Sequence, residues 1–240
     1  MQLPAPLFEI CANGLQSAIN AQLAGADRIE LCEHLHVGGI TPSITLLKKV
    51  CEAVQLPVHV LIRPHAAGFN YSPASFDLMK EQIAAFKALQ VKGLVFGILR
   101  NDLAVDTERC AELIGLCRPL TVTFHRAFDE VQEPFAALQA LIELGVDRVL
   151  TSGQEENVLE GSPLIRQLVE MAAGRITIMA GGGITAENIA SVVEISGTNE
   201  FHFSAKLKTE GGYFVSDRDE IRKICAEARN TFNRMHRFTR

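Results

Sequence analysis

One phrase occurs twice in this chain, half the chain length apart. Gly25-Ala-Asp-Arg-Ile-Glu-Leu-Cys32 follows a helical pattern over 14–24, and Gly145-Val-Asp-Arg-Val-Leu-Thr-Ser-Gly153 follows another over 134–144. Each glycine ends its helix, because a helix C-terminus favours a residue free to take positive φ. Asp27 and Arg28 are read as the turn. Ile29 and Leu31 then point to one side of a strand, with Glu30 and Cys32 on the other. An echo at half the length predicts two similar halves, each a run of strand–helix units.

The rest of the chain fits that scheme. Strands are expected at 7–11, 28–32, 58–63, 93–97, 121–125, 148–152, 177–180 and 200–204. Helices are expected near 14–24, 43–54, 74–89, 106–117, 134–144, 163–173, 186–195 and 217–235, with Ser43, Ser75, Pro134 and Pro163 at starts. Units of about 30 residues suit an α/β (β/α)8 barrel of TIM type, here one domain over 1–240. An open doubly wound sheet uses the same units. The half-length echo, and the lack of a Gly-x-Gly-x-x-Gly turn after the first strand, favour closure.

Alternation within the strands assigns their faces. Phe8 and Ile10 oppose Glu9 and Cys11; Val58, Val60 and Ile62 oppose His59, Leu61 and Arg63; Phe201 and Phe203 oppose Glu200, His202 and Ser204. The apolar set must meet the helices. The lumen is then lined by Glu9, Cys11, Glu30, Cys32, Arg63, His125, Glu200, His202 and Ser204. Buried charge is costly unless paired, so this lumen is a self-satisfied network, a site, or both. Its place at the strands' C-terminal ends points to function.

Bulk properties narrow the partners. The net charge of −5, with no basic stripe, argues against nucleic acid or a membrane surface. No apolar run reaches the ~18 residues of a membrane span. Met1-Gln-Leu-Pro-Ala-Pro6 has no signal-peptide character. The six scattered cysteines suggest reduced thiols in the cytoplasm.

Several strings are specific enough to name a family. Phe8-Glu-Ile-Cys-Ala-Asn13, Gly25-Ala-Asp-Arg-Ile-Glu-Leu-Cys32, Gly38-Gly-Ile-Thr-Pro-Ser43 and Ile62-Arg-Pro64 resemble the CutC family of copper homeostasis proteins. So do Thr123-Phe-His-Arg-Ala-Phe-Asp129, Val149-Leu-Thr-Ser-Gly153 and Met179-Ala-Gly-Gly-Gly183, and the resemblance runs from about residue 8 to 205. It implies a cytoplasmic (β/α)8 barrel, often a homo-oligomer, linked to copper handling. The family's suggested Cu(I) ligands fall here on Cys11 and Cys32. The chain departs from the pattern after Ile62-Arg-Pro64. The family usually continues Arg-Gly-Gly-Asp-Phe, whereas this chain has His65-Ala-Ala-Gly-Phe69 and so lacks an arginine and an aspartate at the site end.

Each chemical motif has a plainer account beside it. Cys11 and Cys32 both occur as Glu-x-Cys at the ends of neighbouring strands, ~4.8 Å apart, where two thiolates can reach one soft ion; buried cysteine also serves as a small apolar filler. Cys32, His34 and His36 form a loop run that a borderline metal could use, or that water solvates. His125 and Arg126 could move a proton and hold an anion, or simply pair with Asp129. Gly181, Gly182 and Gly183, before a helix beginning near Ala186, offer N–H groups for phosphate with Ser204, Ala205 and Lys206, or form a tight turn. Thr151-Ser-Gly153 extends that seat or caps a turn, and Thr41-Pro-Ser43 starts a helix. Cys51, Cys110, Cys117 and Cys225 are packing residues. The basic tail 234–240, with His236, is a solvated end or an oligomer contact.

Two functions follow from these motifs. In one, the chain handles copper with Cys11 and Cys32 on Cu(I). In the other, a barrel enzyme acts on a small anionic or phosphorylated metabolite. There Gly181, Gly182, Gly183 and Ser204 seat the anion, Arg63 and Arg126 steer it, and His125, Glu9 or Glu30 transfer protons. A scaffolding barrel with a filled lumen is the third, plainer outcome.

Overall fold

The computed structural model describes residues 5–89 and 91–236, with the side chain of His236 excluded. Eight parallel strands close on themselves. They are β1 (Leu7–Ala12), β2 (Arg28–Leu31), β3 (Val58–Leu61), β4 (Gly93–Phe96), β5 (Thr121–Phe124), β6 (Arg148–Thr151), β7 (Thr177–Gly181) and β8 (Glu200–Phe203). The helices between and after them are α1 (Leu15–Ala24), α2 (Ile44–Ala53), α3 (Pro73–Lys87), α4 (Thr107–Cys117), α5 (Pro134–Glu143), α6 (Val158–Ala172), α7 (Ile189–Ser196) and α8 (Arg218–His236). Closure is carried by β1 against β8, with Leu7 opposite Glu200 and Glu9 opposite His202. The open-sheet alternative is thereby excluded.

The repeated phrase performs one job twice. Gly25 and Gly145 both take left-handed backbone, at φ 82° and 72°. Asp27 then brackets the preceding strand: its carboxylate accepts the Phe8 N–H at 2.8 Å, and its own N–H donates to Phe8 O at 3.0 Å. Asp147 does the same to Val122, at 2.7 and 3.1 Å. The arginine after each aspartate opens the next strand and points into the barrel. Arg28 is therefore not part of the turn, as the sequence suggests, but the first residue of β2, on the face shared with Glu30.

All eight strands begin at the expected residues. Six end one or two residues early, so Cys32, Arg63, His125, Ser152 and Ser204 lie just past the ladder. Arg63 shows the reason: its N–H leaves the sheet for Thr41 Oγ1 at 2.8 Å, while Thr41 N–H donates to Arg63 O. The helix-facing strand residues, including Phe8, Ile10, Ile29, Val60, Phe124 and Phe201, are fully buried, as alternation requires.

Two helix starts differ from the sequence reading. α6 begins at Val158, not at Pro163, because Asn157 Oδ1 accepts the N–H groups of Leu159 and Glu160, both at 3.1 Å. Pro163 thus lies inside the helix, where Ser162 Oγ donates to Val158 O at 2.7 Å beside the missing amide. The early start presses Gly161 onto the β6 loop, where a Cβ would stand 1.8 Å from Ser152 O. α7 begins at Ile189 rather than near Ala186, since Asn188 folds back to accept Thr185 N–H at 2.9 Å and donate to Gly183 O at 2.8 Å. An unexpected hairpin, β9 (Lys206–Lys208) with β10 (Phe214–Ser216), follows β8. It is tied to α1 by Asn20 Nδ2 on Ser216 O at 2.8 Å and by Ser216 N–H on Ser17 Oγ at 3.0 Å.

Candidate functional site

The barrel floor is an ion network. Arg28 Nε lies 2.5 Å from Glu9 Oε2, and Arg28 Nη2 lies 2.5 Å from Glu200 Oε2. Arg148 Nε meets the same Glu200 oxygen at 2.6 Å. The two arginines of the repeated phrase thus converge on one carboxylate. Glu9 Oε1 holds His202 Nδ1 at 2.8 Å, and His59 Nδ1 lies 3.5 Å from Glu9 Oε2. Burial alone would raise the Glu9 carboxyl, but Arg28, the His202 bond and His59 hold it well below the usual range. Glu200 is depressed too: burial opposes, and Arg148 and Arg28 outweigh it. Burial takes His59 down to about 4, so it is neutral. Glu9 is occupied in this network and does not line the cavity above it.

One layer higher, Cys11, Glu30 and His202 converge from β1, β2 and β8. Their ligand atoms all lie within 4.8 Å of one another, and all three residues are buried. Cys11 Sγ is 3.7 Å from Cys32 Sγ and 4.0 Å from Glu30 Oε1. Cys32 is fully buried beneath Gly39, whose Cβ would stand 3.3 Å from its sulfur. The hydrogen bond with Cys32, together with burial, pushes the Cys11 thiol well above its usual range. Burial pushes Glu30 up to about 7, with Glu9 adding to it and His202 and Arg28 opposing. Burial would lower His202, but Glu30, Cys11 and Glu9 hold it well above an ordinary histidine. The layer therefore has a protonated imidazole, a half-titrating carboxyl and a neutral thiol.

The upper layer forms the bottom of a cavity of ≈ 810 Å³. Arg63 lines it but spends its guanidinium on loop carbonyls: Nη1 on Val37 O and Gly39 O at 3.0 and 2.9 Å, Nη2 on Ala66 O at 3.1 Å. It also sits 5.0 Å over the Phe69 ring, so the loop that departs from the family pattern is held by this arginine. His125 Nδ1 accepts the Ala127 N–H at 3.1 Å, which places the ring proton on Nε2. Burial and then Arg63 lower His125 to about 3. It is a neutral hydrogen-bond donor near pH 7, and its Nε2 has no partner.

Arg126 donates through Nε to Asp129 at 2.7 Å and through Nη2 to Ser152 Oγ at 2.9 Å. Asp129 also receives Thr151 Oγ1 at 2.5 Å and Ser152 N–H at 3.0 Å, so it organises the β6 loop. Gly181 closes β7, and Gly182 and Gly183 follow at φ 113° and 79°. A Cβ on Gly182 would meet Ser152 Cβ at 2.9 Å and Arg126 Cζ at 3.5 Å. Gly182, Gly183, Ser204 and Lys206 all line the cavity.

Other motifs part company. His34 and His36 are exposed with rings 5.8 Å apart, while Cys32 is sealed inside, so that run forms no cluster. Cys110, Cys117 and Cys225 pack in the main core, with Cys51 at its edge. The tail expectation falls largely on 237–240 and the His236 side chain, outside the described residues. Sequence reasoning left Arg28, Arg148 and His59 out of the lumen, and His202 out of the site, although each shares the period-two phase of residues it did include.

The comparisons agree with this architecture. The CutC family model matches residues 6–207. A human protein named copper homeostasis protein cutC homolog is 50% identical over 206 residues, 86% of this chain and 76% of that one. A family protein CutC from Pasteurella multocida is 44% identical, over 88% of this chain and 84% of that one. The crystal structure of a putative copper homeostasis protein CutC from Streptococcus agalactiae superposes with a TM-score of 0.79 at 34% identity, covering 83% of this chain and 98% of that one. By sequence and by fold, the chain belongs to the CutC family.

Proposed function

We propose that this chain serves copper homeostasis by holding Cu(I) between Cys11 and Cys32, with His202 as third ligand and Glu30 beside it. The observation that carries this is the pair of buried sulfurs 3.7 Å apart, with the His202 ring within reach of Cys11. Two metal–sulfur bonds of ~2.3 Å span that distance at an angle of roughly 107°, which leaves room for a third ligand. Thiolate suits a soft monovalent cation. Loading displaces the Cys11 thiol proton and the His202 imidazolium proton, so binding strengthens as pH rises. Leu61 and Val95 pack with the two thiols, and the partly buried Leu35 packs against them.

The setting belongs to the same proposal. All six cysteines are free, which suits a reducing cytoplasm. Homo-oligomer formation rests on the family resemblance. No described helix is long and apolar enough to cross a membrane.

A competition titration of Cu(I) against a chromophoric chelator tests the site. Cys11→Ser with Cys32→Ser should lose tight binding while circular dichroism and melting stay close to those of the parent. Parent-like affinity in the folded double variant would rule the site out.

A further inference from the structure

The copper site occupies only the floor of the cavity. At ≈ 810 Å³ the cavity falls in the range of small-molecule sites, far beyond the space one ion and a few waters need. We propose that it binds a small phosphorylated metabolite, with the phosphate against the loops after β7 and β8 and the organic body directed down toward His125, Glu30 and His202.

Three observations meet at the upper end. The N–H groups of Gly182, Gly183 and Ile184 enter no hydrogen bond among the described residues, so the turn keeps its donors free. Only a glycine leaves this approach open, since a Cβ on Gly182 would crowd Ser152 and the Arg126 guanidinium. Cationic side chains line the same cavity: Arg126, whose Nε and Nη2 are occupied but whose Nη1 is not, Lys206, whose Nζ lies 5.4 Å over the Phe214 ring, and Lys223, whose Nζ lies 3.8 Å from Glu220 Oε2. Two acids, Asp217 and Glu220, line the same cavity, and each accepts a backbone N–H. Asp217 Oδ1 accepts Glu220 N–H at 2.7 Å, and Glu220 Oε1 accepts Ala186 N–H at 3.3 Å.

An independent observation lies deeper. His125 Nε2 and Glu30 Oε2 are buried atoms without a partner, on residues that line the same cavity. Unpaired buried polar atoms are costly, and small rotations of these two side chains toward the cavity would let a bound hydroxyl or carbonyl satisfy them. Phe69, Leu150, Ile184 and Phe203 supply the apolar walls between the two ends. A polar head, a greasy middle and a polar floor suit an organic phosphomonoester better than a bare anion.

The test is a titration of the isotope-labelled full chain, read by amide resonances, with inorganic phosphate and separately with glycerol 3-phosphate. Saturable shifts should centre on Gly182, Gly183, Ile184 and Ser204. The monoester should bind about tenfold more tightly than phosphate, the value of one charge-assisted hydrogen bond. Lys206→Ala with Lys223→Ala, both at the surface, should weaken either probe severalfold. Absence of saturable shifts at these amides, equal affinity for the two probes, or an unaffected double variant would overturn the proposal. Cys11→Ser with Cys32→Ser should keep the phosphate response while losing Cu(I), so failure of one reading is separable from failure of the other.

Discussion

Replacing Arg28 with methionine separates a structural floor from an incidental one. Arg28 neutralises both Glu9 and Glu200 at 2.5 Å, and its side chain is 6% exposed. Methionine keeps much of the volume but leaves the fully buried Glu9 with only His202 and His59 beside it. Removing one partner of a buried pair costs about 3–5 kcal/mol, a fall in Tm on the order of 10 °C for a domain of this size. Arg148→Met should cost clearly less, because Glu200 keeps Arg28. The pH dependence has a definite sign. In the parent the Glu9 carboxyl is depressed, so its stabilisation is present above its unfolded value, near 4.3, and is lost as pH falls through the folded value. In Arg28→Met, Glu9 loses the guanidinium that lowers it most but keeps the His202 bond, so its folded value rises and less stabilisation is lost as pH falls. The penalty should therefore shrink between about pH 5 and pH 3. Urea unfolding of both variants at the two pH values measures this. A penalty below about 1 kcal/mol, one independent of pH, or one smaller than that of Arg148→Met would refute the reasoning.

The remaining expectations are local. Asn157→Ala should cost about 1 kcal/mol in urea unfolding through the lost cap, while Gly161→Ala should cost several times more, because its Cβ meets a backbone oxygen. Carboxyl-carbon NMR should show Glu30 titrating near 7, and an ordinary carboxylate midpoint would contradict the burial described. Ring NMR should find His125 as the neutral Nε2–H tautomer throughout pH 5–8, and a midpoint near 6.5 would remove it as a fixed donor.

Much of this was legible in the order of residues, and the failures are specific. Period-two alternation placed Glu9, Cys11, Glu30 and His202 inside because a barrel strand has only two faces. Arg28 shares the phase of Glu30, but its place after Asp27 made it look like part of a turn. Pro163 looked like a helix start because proline favours that position, yet the Asn157 cap acts a turn and a half earlier. The hairpin β9–β10 has three-residue strands, too short for a periodic signal. The convergence of His202 on Cys11 depends on β8 closing against β1 across nearly the whole chain, and no local pattern encodes that register. Likewise, Lys206 and the free Gly182 and Gly183 amides line one cavity only after the β7 and β8 loops are set side by side.

X-ray absorption at the copper edge of the Cu(I)-loaded chain tests the central claim most directly. The account predicts two sulfur scatterers at ~2.3 Å and one light scatterer from His202, with the sulfur shell lost in Cys11→Ser with Cys32→Ser. A first shell made only of nitrogen and oxygen, or a two-sulfur shell that survives the double substitution, would contradict it.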